Sequence, residues 1–561
     1  MQLVITEVSQ IQPYIFASNR MRENVGASYL VVQATEDWAL SIVNEVAPRN
    51  NISSKDGKSL EDNNRIEDPA AQLDAEVLYA GGGNFVVLFR SEDFALDFVR
   101  KLSRKILTDA PGLQLVATQE LFEWTESLSQ KVKATLEKLE EKKRAWVPSA
   151  PLLGLGVTVV CRSTGLPAVG VTPPIGVDPG YPASPEVLAK IENVERARKR
   201  LKKFNPPPEG YEYPEDLDHL GRSPGEYSHI AVVHIDGNDM GQRKKKIGEE
   251  YKDPRQNREY IKAMRAFSDG IKEAAQQALK NVNDKLVKRL KQNGGNRIVL
   301  YSKDNEGRIV KEITKIELKP AENGKWYLPI LPIVYGGDDV TFICDGRLGL
   351  SLAIEYIRVF EKETAKRPDC RGKVTSCAGI AIVKSHYPFV QAYKLAEELC
   401  KSAKNYRRKN GIEGSCLDWH FALSGFAGSI EEIRDREYKI EKIGERKGKV
   451  KTRWLTLRPV TLDENPKEPL RAWPVVRKGI EEFRGPNWVG RRNKLKALRE
   501  ALRFGPDSVK QFMLRYEIER LPVVAPSMTD LPEKGWQGDY CGYFDALELC
   551  DWFIPLEEDD Q

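Results

Sequence analysis

Three aspartates are the residues whose types and spacing best fit a chemical role. Asp338 and Asp339 are adjacent in a Gly-Gly-Asp-Asp segment, and Asp236 ends the apolar run SHIAVVHID. Adjacent carboxylates repel each other unless cations lie between them, and carboxylate oxygens are ligands that magnesium and manganese prefer. Two such ions can activate an attacking hydroxyl and neutralise the leaving oxygen of a phosphate displacement. The pattern therefore predicts a site for two magnesium or manganese ions.

The two glycines of this segment, Gly336 and Gly337, have an expected role of their own. They would keep the turn tight and let a nucleotide approach the backbone. The alternative is that the segment is an ordinary polar turn, since Gly and Asp are both favoured in turns. An aspartate at the end of a matching strand, Asp236, favours the metal site over the simple turn.

Apolar periodicity predicts two copies of one arrangement that would position these residues. The first copy is expected to contain a strand, a helix, a hairpin, a helix and a last strand, over 2–8, 28–46, 77–90, 92–107 and 153–161. The second copy repeats that order and adds a closing helix, over 228–236, 258–290, 330–344, 348–366, 374–383 and 388–409. This is the order of a ferredoxin-like palm. The predicted fold class is α+β, with two tandem palms and a mainly helical C-terminal domain.

The expected domain boundaries follow from these repeats and from composition. The first palm is expected over 1–165, and a Pro- and Gly-rich linker with a small basic helical insert over 166–226. The second palm is expected over 227–416, with a β-rich insertion over 293–329. The helical C-terminal domain is expected over 417–561.

Composition bounds the class of protein without naming a partner. In a chain of 561 residues, 41% are hydrophobic and 30% are charged, so it can bury a core and is not disordered. Lys and Arg number 87 and Asp and Glu number 82, and a formal charge of +5 does not by itself indicate nucleic-acid binding. The apolar runs are strand-sized, and the N-terminus has no signal-peptide pattern. We expect no membrane span and a cytoplasmic location.

The eight cysteines are far apart and form no Cys-X-X-Cys pair. This spacing argues against a disulfide framework and against a tight zinc site, so no zinc is expected. The cysteines are expected to be reduced thiols.

The first palm departs from the acidic pattern. Gly81, Gly82, Gly83 and Asn84 stand where the second palm has Gly-Gly-Asp-Asp, and Glu7 stands in the place of Asp236. One carboxylate without partners in the hairpin is a poor magnesium site. The first palm is therefore not expected to hold the same metal pair.

Seven segments in order resemble one family. They are IQPYIFASNRMRENVGAS (11–28), YAGGGNFVVLF (79–89), TGLPA (164–168), HIDGNDMG (234–241), YGGDDV (335–340), AGIAIVKSHYPF (378–389) and AEELCKSAK (396–404). The chain resembles, over about residues 1–415, the large cyclase-like polymerase subunit of type III CRISPR effector complexes, and more distantly the GGDEF cyclases. The resemblance implies palms packed as a pseudo-dimer, ATP as substrate, and synthesis of 3′,5′-linked cyclic oligoadenylate, a second messenger in antiviral defence.

The resemblance also assigns roles to residues. Asp236, Asp338 and Asp339 match the metal-binding acids of the family, whereas Asp239 is only a candidate and could instead cap the next turn. Lys404 matches the lysine that contacts the nucleotide triphosphate; the alternative is a solvated lysine on an amphipathic helix.

In the first palm, the glycine turn at Gly81, Gly82 and Gly83 would seat an acceptor adenosine. The alternative is a purely structural turn. The partners implied are ATP, guide or target RNA through neighbouring effector subunits, and a downstream effector that senses the cyclic product.

Two features common in the family are not expected here. The chain begins with the first palm and contains no His-Asp dipeptide, so an HD nuclease domain is not expected. Cys161 stands alone where a paired-cysteine zinc insert would lie, which favours a core thiol.

Basic clusters at 196–203 and 243–246 are interpreted as solvated faces. A third cluster, at 401–409, could attract ATP or an RNA backbone.

Three functions fit the sequence. The leading hypothesis is a nucleotidyltransferase that joins ATP molecules into cyclic oligoadenylate and releases pyrophosphate. A cyclic mononucleotide or dinucleotide cyclase would use the same palm chemistry. A non-catalytic scaffold of an RNA-guided ribonucleoprotein, with an idle Gly-Gly-Asp-Asp segment, is the third.

Overall fold

The computed structural model describes residues 1–81, 83–145, 156–174, 179–220, 228–304, 306–422, 428–443, 450–464 and 466–557. Gly82 lies outside the described residues. Within these ranges, no helix combines the length and the apolar character that crossing a bilayer requires.

The first palm is built on a four-stranded antiparallel sheet. Its elements are β1 (Gln2–Ser9), α1 (Ile11–Phe16), α2 (Met21–Val32), a π-helical turn (Gln33–Asp37), α3 (Trp38–Val46), β2 (Ala75–Gly81), β3 (Asn84–Phe89), α4 (Glu92–Asp109), β4 (Gln114–Leu121) and α5 (Leu128–Ala145). The strand order is β2-β3-β1-β4. Leu3, Val4 and Ile5 of the central strand β1 are fully buried, and α4, α5 and the π-helical turn contact this strand.

The prediction of a last strand over 153–161 is wrong. The fourth strand is β4, and the charged helix α5 follows it instead of preceding it. Residues 153–155 lie outside the described residues, and within 156–161 only Val160 forms an isolated bridge, with Pro167. The sequence of β4, QLVATQEL, is polar because β4 is an edge strand whose side chains are mostly half-buried. A search for apolar runs favours an interior strand over such an edge strand.

The segment between the palms contains β5 (Gly170–Val171), β6 (Pro182–Ala183), α6 (Pro185–Glu192), α7 (Val194–Phe204) and β7 (Tyr211–Glu212). Helices α6 and α7 pack on α2 of the first palm. The contact is close at Gly26, where an added Cβ would lie 1.8 Å from the carbonyl oxygen of Lys190. This segment is therefore anchored to the first palm by helix packing, and the expected basic helical insert is α7.

The second palm repeats the topology of the first. Its elements are β8 (His229–Gly237), α8 (Met240–Glu250), α9 (Asn257–Lys291), β9 (Arg297–Lys303), β10 (Ile309–Glu317), β11 (Trp326–Tyr327), β12 (Ile330–Val334), β13 (Val340–Asp345), α10 (Gly349–Lys366), β14 (Ser376–Lys384) and α11 (Phe389–Lys409). The order β12-β13-β8-β14 matches the order in the first palm. Strands β9 and β10 form an antiparallel hairpin within the expected insertion.

The C-terminal region is mainly helical and also completes the second sheet. Its elements are β15 (Cys416–Ala422), α12 (Ile430–Glu437), β16 (Lys439–Ile443), β17 (Val450–Trp454), β18 (Val460–Thr461), α13 (Trp473–Arg484), α14 (Arg492–Phe504), α15 (Pro506–Arg515), α16 (Leu531–Lys534), β19 (Trp536–Gln537), β20 (Tyr540–Cys541) and α17 (Phe544–Leu549). Strand β15 pairs in parallel with β14, and β18 pairs with β15. The expected boundary at 416/417 thus falls inside a strand of the palm sheet.

The two palms pack against each other through α9. Arg258 on this helix pairs with the fully buried Glu76 at 2.5 Å, and Arg265 donates to the carbonyl oxygens of Val77 and Leu78, each at 2.7 Å. Buried charges need such complete pairing, because leaving one partner alone would cost several kcal/mol. This network holds strand β2 of the first palm against the second palm, so the palms are tandem and packed together.

Candidate active site

The acidic site lies where β8 and β13 run side by side. These strands are antiparallel, and Val340 pairs with Ile235, so the next position along places Asp339 opposite Asp236. One oxygen from each of Asp236, Asp338 and Asp339 lies within 4.8 Å of the other two. The structure therefore brings together the three acids that the sequence singled out.

Burial and mutual repulsion shape the electrostatics of these acids. Burial raises the pKa of Asp338. Burial and the charges of Asp338 and Asp236 together raise the pKa of Asp339 well above its usual range. The Oδ1 atom of Asp339 is buried and has no hydrogen-bond partner among the described residues. A buried carboxylate oxygen without a partner is costly, and a divalent cation would satisfy it, so this donor set fits magnesium or manganese.

The turn that presents Asp338 and Asp339 depends on glycine. Gly336 has a φ of +98°, a left-handed conformation that favours glycine, and an added Cβ at Gly337 would meet no atom within 4 Å. The amide of Gly237 donates to the carbonyl oxygen of Asp338 at 3.2 Å, which fixes the turn against the end of β8. Backbone at Gly337 thus has open space beside it.

Lys404 reaches the site from α11. Its Nζ donates to Oδ2 of Asp236. Burial alone would lower the pKa of Lys404, but the carboxylate of Asp236 raises this pKa above its usual value. The side chain of Lys404 is therefore protonated and positively charged. A lysine with this charge next to three carboxylates can neutralise a polyphosphate.

Asp239 is separate from the three acids. It precedes α8 with a φ of +61° and forms no side-chain hydrogen bond that caps the helix. Its carboxylate accepts a hydrogen bond from Arg407 at 2.7 Å. Asp239 is therefore an ion-pair partner of α11, and the structure supports neither the cap nor a place in the cluster of Asp236, Asp338 and Asp339.

The first palm has the same register without the acids. Glu7 pairs with Asn84 across β1 and β3, as Asp236 faces Asp339 in the second palm. The carboxylate of Glu7 forms an ion pair with Lys143 on α5 at 2.5 Å. Gly83 has a φ of +81°, and an added Cβ at Gly81 would lie 2.1 Å from the hydroxyl of Ser268 on α9. Both described glycines of this turn thus have a structural reason to be glycine.

A large cavity joins the two hairpins. It has a volume of about 1120 Å³, and Gly81 from the first palm and Gly336, Gly337 and Asp338 from the second line it. Its wall also contains basic residues that the sequence analysis interpreted as solvated: Arg196, Lys199, Arg200 and Lys203 of α7, and Lys244 of α8.

A signal for this basic face was present in the sequence. The apolar residues Val194, Ala197 and Leu201 of α7 are buried, and the four basic residues follow at i, i+3, i+4 and i+7 spacing on another face. Charge at helical spacing opposite an apolar stripe predicts one basic face. The sequence alone does not say that this face lines a cavity.

The segment that carries the acids matches a known family. Residues 229–413 match the sequence model of the Cas10/Cmr2 second palm domain. This region is therefore similar to the second palm domain of the Cas10/Cmr2 family. The match includes Asp236, Asp338, Asp339 and Lys404, so the acidic site lies within the matched region. The first palm and the C-terminal region lie outside the match.

Solved structures similar to the chain include Csm1 in T. onnurineus, which is 15% identical with a TM-score of 0.45. This match covers 99% of the present chain and 69% of the Csm1 chain. A Csm1-Csm4 cassette in complex with one ATP is 13% identical, with a TM-score of 0.47 and coverage of 99% and 70%. A Csm1-Csm4 cassette in complex with pppApA is 13% identical, with a TM-score of 0.48 and coverage of 98% and 69%. No curated protein matches the sequence.

Proposed function

We propose that the chain is a two-metal-ion nucleotidyltransferase that converts ATP to 3′,5′-linked cyclic oligoadenylate and pyrophosphate in CRISPR-type antiviral defence. The observation that carries this proposal is the convergence of three carboxylates in a Cas10/Cmr2-type palm, with oxygens within 4.8 Å of one another. Carboxylates this close suit a pair of magnesium or manganese ions. The resemblance of the sequence to cyclase-like large subunits supports ATP as the substrate.

In the proposed reaction, the 3′-hydroxyl of an acceptor ATP attacks the α-phosphorus of a donor ATP. The bond between that phosphorus and the oxygen bridging to the β-phosphate breaks, pyrophosphate leaves, and the hydroxyl proton passes to water. When the 3′-hydroxyl of a linear product attacks its own 5′ α-phosphorus, the ring closes and a last pyrophosphate leaves. Metal ions at such a site activate the hydroxyl and neutralise the leaving oxygen.

The residues of this chain have distinct roles in the proposed reaction. Asp236, Asp338 and Asp339 are the proposed catalytic residues and would hold the ions. A cation at Asp236 would weaken the attraction of that carboxylate for Lys404, so the ammonium of Lys404 could pair with the donor triphosphate. The turn at Gly336 and Gly337 would admit the nucleotide to the backbone.

The remaining parts of the proposal concern the acceptor and the setting. The turn at Gly81, Gly82 and Gly83 would seat the acceptor adenosine, consistent with Gly81 lining the cavity. The chain would work in the cytoplasm, with the domain boundaries expected from the sequence except the one at 416/417, which falls inside β15. Its proposed partners are neighbouring effector subunits that carry guide or target RNA, and a downstream effector that binds the cyclic product.

The test is product analysis by chromatography and mass spectrometry after incubation of the purified chain with each nucleoside triphosphate, with magnesium or manganese. Parallel samples keep or lack co-purifying RNA. We expect cyclic oligoadenylate and pyrophosphate from ATP, and no product from an Asp338→Asn/Asp339→Asn variant. Cyclic mononucleotides or dinucleotides would show the alternative cyclase. The absence of pyrophosphate release from every triphosphate would contradict the proposal and favour the scaffold.

A further inference from the structure

The basic face of α7 is the feature of the cavity that the proposed chemistry leaves unexplained. Arg196, Lys199, Arg200 and Lys203 all line the cavity, while the opposite side of the helix is buried. Two other basic residues of the same helix, Arg198 and Lys202, lie outside this cavity and pair with Glu195 and Glu212, each at 2.6 Å. One face of α7 is therefore neutralised by acids, and the other is presented to the cavity.

Within the described part of the chain, carboxylates do not compensate the charges of this face. No ion pair within 4 Å joins Lys199, Arg200 or Lys203 to a carboxylate of the described residues. Three acids of the cavity wall have cations of their own, in the pairs Asp37 with Lys58, Asp62 with Arg265, and Glu36 with Lys272. A fourth acid of the wall, Asp269, lies near Lys272 and Arg265, whose charges act on it. The wall formed by α7 thus attracts an anion from solution.

The basic face is held next to the catalytic hairpin. The guanidinium of Arg200 lies 4.8 Å from the centre of the Tyr335 ring, and the ring of Phe204 lies 5.1 Å from it. An added Cβ on Gly336 would lie 3.6 Å from the Phe204 ring. Tyr335 immediately precedes the Gly-Gly-Asp-Asp turn, so the cations of α7 have a fixed place beside the acids.

The cavity has room and charge for more than one nucleotide. Its volume of about 1120 Å³ exceeds the roughly 300–1,000 Å³ of a pocket for one small ligand. Lys404 contacts Asp236, and the charge of Lys244 acts on Asp338. A donor triphosphate at the acids would use these cations and the metal ions. The four cations of α7 remain for a second polyphosphate.

We infer that the basic face of α7 binds the 5′-triphosphate of the acceptor nucleotide, and of the linear oligonucleotide that grows from it. This inference rests on the proposed function and adds a second phosphate site to it. Extension at the 3′-hydroxyl leaves the acceptor's 5′-triphosphate intact, so this group needs a holder during every extension. In ring closure the same triphosphate is attacked at its α-phosphorus and must move from α7 to the acids.

The test compares a Lys199→Ala/Lys203→Ala variant with a matched control, Lys202→Ala, on the other face of the same helix. Binding of a non-hydrolysable ATP analogue with magnesium is measured by calorimetry at two salt concentrations. We expect two molecules bound per chain in the unaltered protein and in the control. In the double variant, we expect one site to keep its affinity and the other to weaken at least about tenfold, with a smaller salt dependence. Equal melting temperatures of the double variant and the control show that α7 remains folded.

Activity gives an independent readout. In the double variant, we expect a higher ATP concentration for half-maximal rate and a larger share of released short linear products. Two analogue molecules bound at unchanged affinity in the double variant would overturn the inference, even if cyclic product forms. Loss of one analogue site in the double variant would support it, even if the unaltered protein forms no phosphodiester bond and the proposed function fails.

Discussion

The two palms share a scaffold and differ in what it carries at one edge. Both sheets have the same strand order, and in both a carboxylate at the end of the first strand faces the last residue of the hairpin turn. In both, a lysine from the helix after the fourth strand neutralises that carboxylate, Lys143 for Glu7 and Lys404 for Asp236. The shared topology thus provides one carboxylate and one lysine. The proposed metal site requires the two further acids of the second hairpin.

The turns also differ in backbone conformation. Among the described residues of the first turn, Gly83 is left-handed and corresponds by register to Asp338, whereas in the second turn Gly336 is left-handed. A residue with a side chain is disfavoured at a φ of +81°. The first hairpin is therefore not a second hairpin with its acids removed, because the two turns differ in backbone conformation at their described positions.

The largest expected difference between the palms is in catalysis. Asp338→Ala or Asp339→Ala is expected to lower product formation at least roughly a hundredfold, or about 2.7 kcal/mol of transition-state stabilisation, because the ions lose a ligand. The matched change in the first palm, Asn84→Ala, is expected to be much milder. Initial rates of pyrophosphate release check this. Equal losses of rate from the substitutions in the two palms would contradict the proposed difference in catalytic role.

A smaller difference is expected between the two lysines. Lys404→Ala is expected to raise the ATP concentration needed for half-maximal rate by about tenfold, since one cation–phosphate contact contributes roughly 1.5 kcal/mol. Lys143→Ala is expected to leave that concentration unchanged and to lower the free energy of unfolding by at most about 1 kcal/mol. Steady-state kinetics and thermal unfolding separate the two outcomes. A similar kinetic defect in Lys143→Ala would show that the first palm also holds a triphosphate.

The pH dependence of stability should also distinguish the palms when divalent cations are removed by a chelator. The pKa of Asp339 is raised in the folded state, so the folded protein holds this proton to higher pH than the unfolded chain does. Stability must then fall as pH rises above the unfolded value of about 3.9 and through the raised pKa. Asp339→Asn is expected to flatten this fall, and Glu7→Gln is not. Melting temperatures from pH 4 to 8 test this, and added magnesium should remove the difference.

The smallest expected effect on metal binding is that of placing the missing acids in the first palm. Gly83→Asp with Asn84→Asp is expected to cost about 1–2 kcal/mol of stability, because position 83 is left-handed. No additional magnesium site is expected from it, since the two turns differ in backbone conformation. Calorimetric titration with magnesium is the measurement. Gain of a further site with micromolar affinity would show that the acids alone determine metal binding.

Much of the fold can be predicted from the sequence, because interior strands and amphipathic helices have local signals. The runs that became β1, β8 and β13 are apolar enough to be identified without tertiary contacts, and the three acids stand at the ends of such runs. Strand β4 was missed because an edge strand is half-exposed and its sequence is polar. The pairing of β15 with β14 was also missed, since no local pattern records which strand lies beside which.

Which charged residues lie close together depends on tertiary packing. The sequence shows Lys143 and the basic face of α7 as charges on amphipathic helices, and most such charges are solvated. Packing of α5 on β1 and β4 brings Lys143 to Glu7, and packing of α7 on α2 turns Lys199 and Lys203 into the cavity. Long-range packing sets these positions, so the polar half of the site depends on how the helices dock, whereas the acidic half depends on how two neighbouring strands end.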